Sequence, residues 1–508
     1  MQVGSCHELE NREAERTKRL QSEVVYWIRL VDTFSMITLK HFWIAVTCFW
    51  FAMPQFASGD WFEKFKSEAS DSELHEFLYE MPKGGDLHLH LSGSGFPEWW
   101  YELAIASEQS GYVYYTKVRL NNCRLPNWDS FSVRPYHLMY QTLVSHNWEK
   151  LSKCEKGEFV LLSELDHNQK KAFMSSLKLD LPHEGREEFF GAHWQRLGDL
   201  TANPFLIGEL LAKNIIAFAA EGLLYLEPQI NSFGYRSPSG TTISSQEAVK
   251  LFSQRIQQED VVETGVTVRF QQSILRFLPE AEDLLRSAYE VVSNNDLYVA
   301  VNMVGREDND KGHPLRFLST LRDLRRSYSG VRLSIHGGEV DEPNYHVRDT
   351  ILLGAERIGH GLNLITDPET MRLMRHGPYL VEINLISNLL LEYVSDYDAH
   401  PFPEYLRTGI PVALSTDDRG MWDSTMTDEF FVAIKEFNLT WEEIKQLSRN
   451  SLKFAFVHEK KKTTLIDLYE RNIEKFEGQV REVSNNGWSE KNKSPRGGFV
   501  CSRYRLCD

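Results

Sequence analysis

The sequence is poor in basic side chains, because 56 lysine and arginine residues face 72 aspartate and glutamate residues and the formal net charge is −16. Binding of a polyanion requires a concentrated basic patch, so this balance argues against nucleic acid or an anionic membrane surface as a partner. The one tight basic run, Lys460 to Lys462, is typical of a solvated helix end. A small neutral or cationic substrate fits the charge better.

Long hydrophobic runs are also scarce. The only strongly apolar run, residues 42–54, is short of the roughly 20 residues that a membrane-spanning helix needs. Basic residues at 40–41 precede it and small residues follow it, which predicts a signal peptide over about residues 36–59, with Met36 as the true start. We therefore expect a secreted or periplasmic protein without a stable membrane span after processing. The alternative is an uncleaved N-terminal membrane anchor within residues 1–59.

Cysteine is rare, with 6 in the chain, and no pair has the C-x-x-C spacing of a zinc knuckle. Metal binding by thiols is therefore not expected. Removal of the signal peptide would leave four cysteines, an even number that permits two disulfides in an exported chain. Three pairings are possible, and proximity in the sequence favours Cys123 with Cys154 and Cys501 with Cys507.

Apolar and aromatic residues are abundant, at 42% and 12% of the chain, as in a globular protein. Eight short apolar runs alternate with helical patterns. The runs lie at 84–91, 223–230, 266–275, 297–305, 331–336, 356–360, 379–386 and 410–416. Strand and helix alternating eight times predict an α/β fold, a (β/α)8 barrel of the TIM type.

Three segments lie outside a minimal barrel, which would span about residues 83–459. Residues 60–82 predict an extra N-terminal helical segment that packs beneath the barrel or against a partner subunit, so a homodimer is left open. Residues 107–181 are too long for a plain connection and predict an inserted subdomain after the first strand–helix unit. Residues 460–508 predict one C-terminal helix, over 463–482, and a polar tail.

Polar clusters end four of the eight strands, at the face where barrels of this kind build active sites. His88 and His90 face the same way, since side chains two residues apart in a strand share a face. His336 ends the fifth strand and Asp417 ends the eighth. Three imidazoles and a carboxylate are ligands that zinc prefers when one position stays open for water. The fourth strand, VAVNMVG, offers no lysine or acid to bridge a second metal, which predicts one Zn²⁺ per subunit.

Further polar positions at the same face suit catalysis. Glu339 lies in a glycine-containing turn and would act as a proton shuttle if a dry pocket raised its pKa. His360, at the end of the sixth strand, would orient or deprotonate the attacking water. Asp418 would accept a hydrogen bond from that water or from a substrate nitrogen. Gly305, after the fourth strand, would present a backbone N–H to a ligand at close approach.

The ordered motifs of this chain resemble those of the adenosine deaminase family of metal-dependent barrel hydrolases. The motifs are MPKGGDLHLHLSGS at 81–94, SIHGGE at 334–339, RIGHGLN at 357–363 and STDD at 415–418. The resemblance runs from about Met81 to Phe456. Together with the expected export and the long insertion, it is most similar to the secreted, growth-factor-related branch or to a bacterial counterpart.

The resemblance implies hydrolytic deamination of adenosine or deoxyadenosine to inosine and ammonia, with a small purine nucleoside as the binding partner. It implies that Glu339 protonates purine N1, that His360 and Asp418 position the hydroxide attacking C6, and that Gly305 hydrogen-bonds the purine ring. The implied zinc ligands are His88, His90, His336 and Asp417.

Three positions depart from the family pattern. Ser92 stands where an acidic residue contacts the ribose, Gln229 stands where an arginine is common, and Arg419 replaces the usual proline. Arg419 would meet a phosphate or carboxylate, or pair with a surface acid, which is the interpretation we favour. Ser92 and Trp194 are candidate substrate-binding residues, with Trp194 at an aromatic rim.

Two other functions fit the same sequence. The first keeps the metal site and changes the substrate to adenine or another aminopurine. The second belongs to another class, a secreted growth-factor-like binding protein that uses residues 107–181 or 60–82 as its working surface and the barrel as a scaffold.

Overall fold

The structure is a computed structural model that describes residues 60–121, 123, 138–307, 311–340, 344–483, 495 and 497–507. The expected signal peptide or anchor at residues 1–59 lies outside the described residues, as does most of the polar tail after residue 483. Within the described ranges, no helix combines the length and the apolar character needed to cross a membrane.

Eight parallel strands form the wall of a nearly closed barrel, in the order β1-β5-β7-β8-β9-β10-β11-β12, and β6 pairs with β5. A bridge between Leu89 and Asp417 joins the first strand to the chain beyond the last. The predicted (β/α)8 barrel is thus confirmed. The described strands are β1 (Gly85–His90), β2 (Tyr114–Lys117), β3 (Thr142–Val144), β4 (Phe159–Leu161), β5 (Tyr225–Gln229), β6 (Thr267–Val268), β7 (Phe270–Leu275), β8 (Tyr298–Val304), β9 (Arg332–Gly337), β10 (Arg357–His360), β11 (Leu380–Ile383) and β12 (Val412–Leu414).

Helices connect the strands and precede and follow the barrel. The described α-helices are α1 (Asp60–Glu68), α2 (Asp71–Glu80), α3 (Pro97–Ala106), α4 (Ser145–Trp148), α5 (Lys153–Lys156), α6 (His167–Ser175), α7 (Arg186–Glu188), α8 (Trp194–Leu197), α9 (Pro204–Ala220), α10 (Ser245–Arg255), α11 (Glu259–Val262), α12 (Ala281–Ser293), α13 (Leu318–Ser327), α14 (His346–Leu352), α15 (Pro368–His376), α16 (Leu385–Leu390), α17 (Phe402–Thr408), α18 (Arg419–Trp422), α19 (Met426–Phe437), α20 (Trp441–Lys453), α21 (Glu459–Val483) and α22 (Gly498–Tyr504). A π-helical turn, Phe189–His193, joins α7 to α8.

The apolar pattern of each element explains its place in the barrel. Strands β10, β11 and β12 are buried along their whole length, as expected for parallel strands covered on both faces. Helix α12 buries Leu285, Ala288, Tyr289 and Val292, a spacing of three and four residues that forms one stripe. That stripe packs on β7 and β8.

The segment before the barrel consists of two helices that pack on the barrel helices of the same chain. A capping box between Ser70 and Glu73 begins α2, which lies against α19. The Trp61 and Trp441 rings are 5.1 Å apart at their centroids. The buried face of this two-helix segment therefore packs within the fold and is not exposed as a binding surface.

The inserted residues form a small antiparallel sheet of order β3-β2-β4. The Cys123–Cys154 disulfide links the chain after β2 to α5, just before β4, and Cys501–Cys507 forms a second disulfide within the described residues. Both pairings are those that sequence proximity favours. Structure outside the barrel plan continues past residue 181, through α7, the π-helical turn and α8, before α9 leads into β5.

Arg419 lies inside the protein rather than at the barrel mouth. Its side chain is buried, its Nη1 is 2.9 Å from Glu221 Oε1, and its guanidinium stacks 3.9 Å from the centroid of the Phe218 ring. The expectation that Arg419 pairs with an acid is confirmed, but the acid is buried rather than on the surface. Arg419 is the first residue of a short helix, α18, and its side chain points into the interior. Because it is buried against Glu221, this side chain is not available to bind a phosphate or carboxylate of a ligand.

Removal of this cation should be strongly destabilising. Arg419→Met leaves the Glu221 carboxylate buried without its counter-charge, and we expect the free energy of unfolding to fall by about 3–5 kcal/mol. Urea denaturation of wild type and variant measures the change. The double variant Arg419→Met/Glu221→Gln should recover part of the loss, and equal stability of Arg419→Met and wild type would contradict the assignment.

Candidate active site

A cavity of about 440 Å³ opens at the carboxyl ends of the barrel strands. Eight of the predicted site residues line it: His90, Ser92, Trp194, Gly305, His336, Glu339, Asp417 and Asp418. The other two, His88 and His360, are buried next to them. The structure therefore brings together residues from β1, β8, β9, β10 and the chain after β12.

Four of these residues, His88, His90, His336 and Asp417, form a compact donor cluster, and His360 lies beside them. The His88 Nε2 and His90 Nε2 atoms are 3.4 Å and 3.2 Å from Asp417 Oδ1, and His90 Nε2 is 3.2 Å from His336 Nε2. Ligand atoms of His88, His336, His360 and Asp417 all lie within 4.8 Å of one another. Such a cluster of nitrogen and carboxylate donors fits a divalent transition metal.

Unsatisfied buried atoms provide the test of that fit. His88 Nε2 and Asp417 Oδ1 are buried, and although they lie 3.4 Å apart, neither makes a hydrogen bond of acceptable geometry with any described residue. Buried polar atoms without partners are costly, and a bound cation would satisfy both. The donor set and its orphaned atoms thus agree on a metal centre.

Hydrogen bonds behind the cluster orient two of the imidazoles. His88 Nδ1 lies 2.8 Å from Glu382 Oε2, and His336 Nδ1 lies 2.9 Å from Asn302 Oδ1. Each Nδ1–H donates to an oxygen, which leaves the Nε2 lone pair directed at the centre. Arg357, 2.8 Å from Glu382 Oε1, holds that carboxylate in place.

Glu339 is a buried carboxyl at the cavity wall. Burial raises the pKa of Glu339 well above the usual range of a carboxyl, and the charges of Asp417 and Glu307 add to this rise. His360 Nε2 lies 3.8 Å from Glu339 Oε1. A protonated Glu339 can donate a proton to a ligand in the cavity.

His360 and Asp418 complete the polar side of the cavity. Burial lowers the pKa of His360 to about 3, so its ring is neutral. Asn388 Nδ2 lies 2.9 Å from His360 Nδ1, a contact that favours the tautomer with the ring proton on Nε2, which is 3.8 Å from Glu339 Oε1. Burial, with the neighbouring charge of Asp417, raises the pKa of Asp418 well above the usual range.

Two positions show how closely the backbone surrounds this site. His360 and Asp417 have φ values of 66° and 55°, a left-handed conformation that costs energy in residues other than glycine and is concentrated at functional sites. Gly359 packs so tightly that an added Cβ would lie 2.5 Å from His88 Cε1. The first glycine of the RIGHG motif, Gly359, therefore leaves room for the His88 ring.

Gly305 lines the cavity as expected for a residue that offers its backbone to a ligand. Its φ is 98°, and an added Cβ would lie 2.6 Å from Phe277 Cε1. Both the conformation and the space therefore require glycine.

Glu307 is a site residue that the sequence interpretation missed. Its carboxylate accepts the backbone N–H groups of Gly338 and Glu339 at 3.0 Å and 3.1 Å, and His346 Nδ1 lies 2.8 Å away. Although burial opposes it, His346 and Arg276 lower the pKa of Glu307 to about 2. Glu307 thereby holds the turn that carries Glu339. An acid two residues after the predicted Gly305 was the available signal.

The aromatic cover of the cavity was only partly predicted. Trp194 lies near His90, with ring centroids 6.2 Å apart, and Phe189 and Phe190 line the cavity from the π-helical turn. The Arg306 guanidinium lies 5.5 Å from the centroid of the Phe190 ring and pairs with the exposed Glu187 at 2.9 Å. Phe189, Phe190 and Trp194, which lie beyond the predicted limit of the insertion, thus contribute aromatic side chains to the cavity wall.

Comparison with known proteins shows which family this chain resembles. The family model for adenosine deaminase matches residues 197–471, more than half of the chain. A Clostridium perfringens adenosine deaminase is 35% identical over 185 residues, 35% of this chain and 54% of that protein, so the chain spans about half the length of this relative. The Xenopus laevis N6-methyl-AMP deaminase-L is 30% identical over 253 residues, 49% of this chain and 70% of that protein.

A solved structure agrees with the fold. An amidohydrolase from Burkholderia ambifaria, whose structure was determined with bound Zn, superposes with a TM-score of 0.58 at 17% identity, over 82% of this chain and 96% of that one. At this level of identity the likeness shows the barrel fold alone. From the matched family model and the Xenopus laevis relative, the chain belongs to the adenosine deaminase family.

Proposed function

We propose that this protein hydrolyses the exocyclic C–N bond of an aminopurine nucleoside, converting adenosine or deoxyadenosine to inosine or deoxyinosine and releasing ammonia. The observation that carries the proposal is the position of Glu339, a buried carboxyl in the cavity wall beside the donor cluster. That pairing suits attack of water on a ring carbon with proton transfer to the adjacent ring nitrogen. Membership of the adenosine deaminase family supports it.

We assign one Zn²⁺ to the donor cluster of His88, His90, His336 and Asp417. Held by these residues, the metal would supply Lewis-acid activation of the attacking water at neutral pH. The all-nitrogen-and-oxygen donor set and the zinc in the Burkholderia ambifaria structure support this choice of metal.

The side chains around the cluster move the protons. Glu339 donates its proton to purine N1 as the oxygen of water bonds to C6, while the Nε2–H of His360 and the carboxyl of Asp418 hold the reacting oxygen by hydrogen bonds. The attacking water gives up both its protons, one to the amino group and one back to Glu339, as the C6–N6 bond breaks and ammonia leaves. The backbone N–H of Gly305 orients the ring.

The charge of the cavity favours a nucleoside over a nucleotide. Among the described residues, no lysine or arginine lines the cavity, whereas Glu339, Asp417 and Asp418 do. The phosphate of AMP would be desolvated there without a counter-charge. The volume of about 440 Å³ lies in the range of small-molecule sites and leaves room beyond the base. A neutral nucleoside therefore fits better than AMP or adenine.

We also propose that the mature protein is exported. Its two disulfides, Cys123–Cys154 and Cys501–Cys507, support an oxidising compartment, where such bonds persist. The described residues lend no support to a growth-factor-like scaffold.

Activity measured on purified protein of known zinc content tests the proposed reaction. Loss of ultraviolet absorbance should follow with adenosine and deoxyadenosine. We expect kcat/KM for AMP and adenine to be lower by about 100-fold or more, since each leaves a polar or charged group unpaired. Failure of zinc-loaded protein to turn over any aminopurine would overturn the proposal.

A further inference from the structure

Gln229 carries an unsatisfied amide at the wall of the cavity. It ends β5, and its Cα pairs in register with those of His90 on β1 and Gln271 on β7. The side chain is 4% exposed and lines the cavity, and neither Oε1 nor Nε2 has a hydrogen-bond partner among the described residues. A buried donor and a buried acceptor are therefore both available to a ligand.

The two glutamines on the neighbouring strand β7, unlike Gln229, have hydrogen-bond partners for their side-chain amides. Gln271 donates to the Leu87 carbonyl at 2.8 Å and accepts from Asn302 Nδ2 at 2.9 Å. Gln272 donates to Asn231 Oδ1 at 2.8 Å and accepts from the Ser232 N–H at 3.0 Å. Two adjacent glutamines on β7 are thus satisfied inside the protein.

The wall around Gln229 is polar and uncharged. Ser92, Asn231 and Ser273 line the cavity two residues beyond His90, Gln229 and Gln271 on the same three strand ends. Ser273 lies in β7, whereas Ser92 and Asn231 lie two residues past the ends of β1 and β5, so these polar groups line the cavity just beyond those strands. Such a wall suits hydroxyl groups, which are also neutral and both donate and accept.

The order of the strands places this wall away from Glu339. Glu339 follows β9, and β7 and β8 lie between β9 and β5 in the barrel. An aminopurine whose N1 faces Glu339 directs the substituent on its five-membered ring away from β9. The wall at β1, β5 and β7 is therefore available to that substituent.

We propose that Gln229 binds the sugar of the nucleoside through a pair of neighbouring hydroxyl groups, with Oε1 accepting from one and Nε2 donating to the other. This rests on the proposed nucleoside deamination. An occupant that satisfies both atoms must offer a donor and an acceptor, which a phosphate or an ammonium group alone does not. Gln229 is thus a specificity-determining residue that favours nucleosides with an intact ribose diol.

The test uses Gln229→Met, which keeps the length of the side chain and removes both hydrogen-bonding atoms. The probes are adenosine and its 2′-, 3′- and 5′-deoxy analogues. For the wild type we expect kcat/KM to fall at least about 10-fold for the 2′- or 3′-deoxy analogue. In the variant, adenosine should lose a similar factor, mainly through KM, and the preference for the diol should shrink to about twofold or less.

Two further measurements separate binding from folding. Calorimetric binding of inosine should weaken in Gln229→Met at unchanged zinc content. Without ligand, the variant should unfold at a higher temperature than the wild type, because an orphaned buried amide has been replaced by an apolar side chain. The control is Gln257→Met, the same change at an exposed position. It should change neither the ratio of kcat/KM between adenosine and its deoxy analogues nor the affinity for inosine.

Each outcome decides the assignment. If Gln229→Met discriminates among the four nucleosides as the wild type does, or if the wild type ignores the 2′- and 3′-hydroxyls, Gln229 does not bind the diol and its amide contacts water alone. If the wild type deaminates adenine but no nucleoside, the sugar assignment fails while the deaminase chemistry stands. If no aminopurine reacts, the proposed function itself fails, and inosine binding still reports on Gln229.

Discussion

Replacement of Glu339 by glutamine is expected to lower kcat for adenosine by about 10²- to 10⁴-fold, the usual contribution of a positioned proton donor or acceptor. Glutamine keeps the size of the side chain and its acceptor oxygen, but its amide cannot give a proton to purine N1. Steady-state kinetics on wild type and Glu339→Gln measure the effect. Because the carboxyl is not assigned to the metal, zinc content and inosine binding should remain close to those of the wild type.

The matched control is Glu369→Gln on the outer helix α15, where the side chain is exposed. That variant should keep wild-type kinetics. If Glu339→Gln retained full kcat, proton transfer would have to be assigned to another group. If it lost its zinc as well, Glu339 would belong to the metal site instead.

Replacement of Asp417 by asparagine is expected to have an effect of comparable size through a different cause. Asparagine removes the negative charge that the donor cluster offers to a cation, and it leaves three imidazoles without a carboxylate. Changes in groups behind a metal ligand cost about 10- to 100-fold in affinity, so loss of a direct ligand should cost about 100-fold or more. Metal analysis after dialysis should therefore find the variant depleted of zinc and inactive.

Asparagine is a suitable replacement for Asp417 because it tolerates the backbone conformation of this residue. Asp417 has a φ of 55°, and asparagine tolerates the left-handed region better than most residues do. Asp423→Asn is the matched control, because Asp423 has a φ of 50° and pairs with Lys178 away from the donor cluster. Added zinc should raise the unfolding temperature of wild type and Asp423→Asn, but much less that of Asp417→Asn. Equal zinc retention in all three proteins would contradict the ligand assignment.

The eight strands and the residues at their ends were predictable for one physical reason. A buried parallel strand needs a continuous apolar run, and parallel strands in a barrel all end at the same face. His90, His336, His360 and Asp417 each lie at or just beyond the end of such a run, and His88 lies two residues before His90. Their convergence therefore follows from local sequence patterns, although nearly 330 residues separate the first from the last.

The partners of those residues were not predictable in the same way. Glu382 orients His88, and Asn302 orients His336, through contacts between strands that are far apart in the sequence. Nothing in the local pattern distinguishes these polar residues from satisfied core groups. Glu307 was missed for this reason, since its role depends on backbone N–H groups some 30 residues further along the chain.

Segments without the regular hydrophobic pattern of a strand or helix gave still less information about where their side chains lie in the fold. The inserted residues have no barrel periodicity, so the placement of Phe189 and Phe190 over the cavity depended on how the insertion folds. Arg419 follows Asp418, and its local sequence is compatible with an exposed side chain, but in the fold it is buried against Glu221.

By itself, the sequence determined the barrel, the residues at its catalytic face and the kind of chemistry they support, because strand burial and strand direction are encoded locally. Only the tertiary structure decided which polar groups are satisfied. Gln271 and Gln229 are both glutamines facing the barrel interior, yet contacts made by neighbouring strands satisfy the first and leave the second open to the cavity. Hydrogen bonding across a barrel depends on distances of a few ångströms between remote parts of the chain, and those distances exist only in the folded protein.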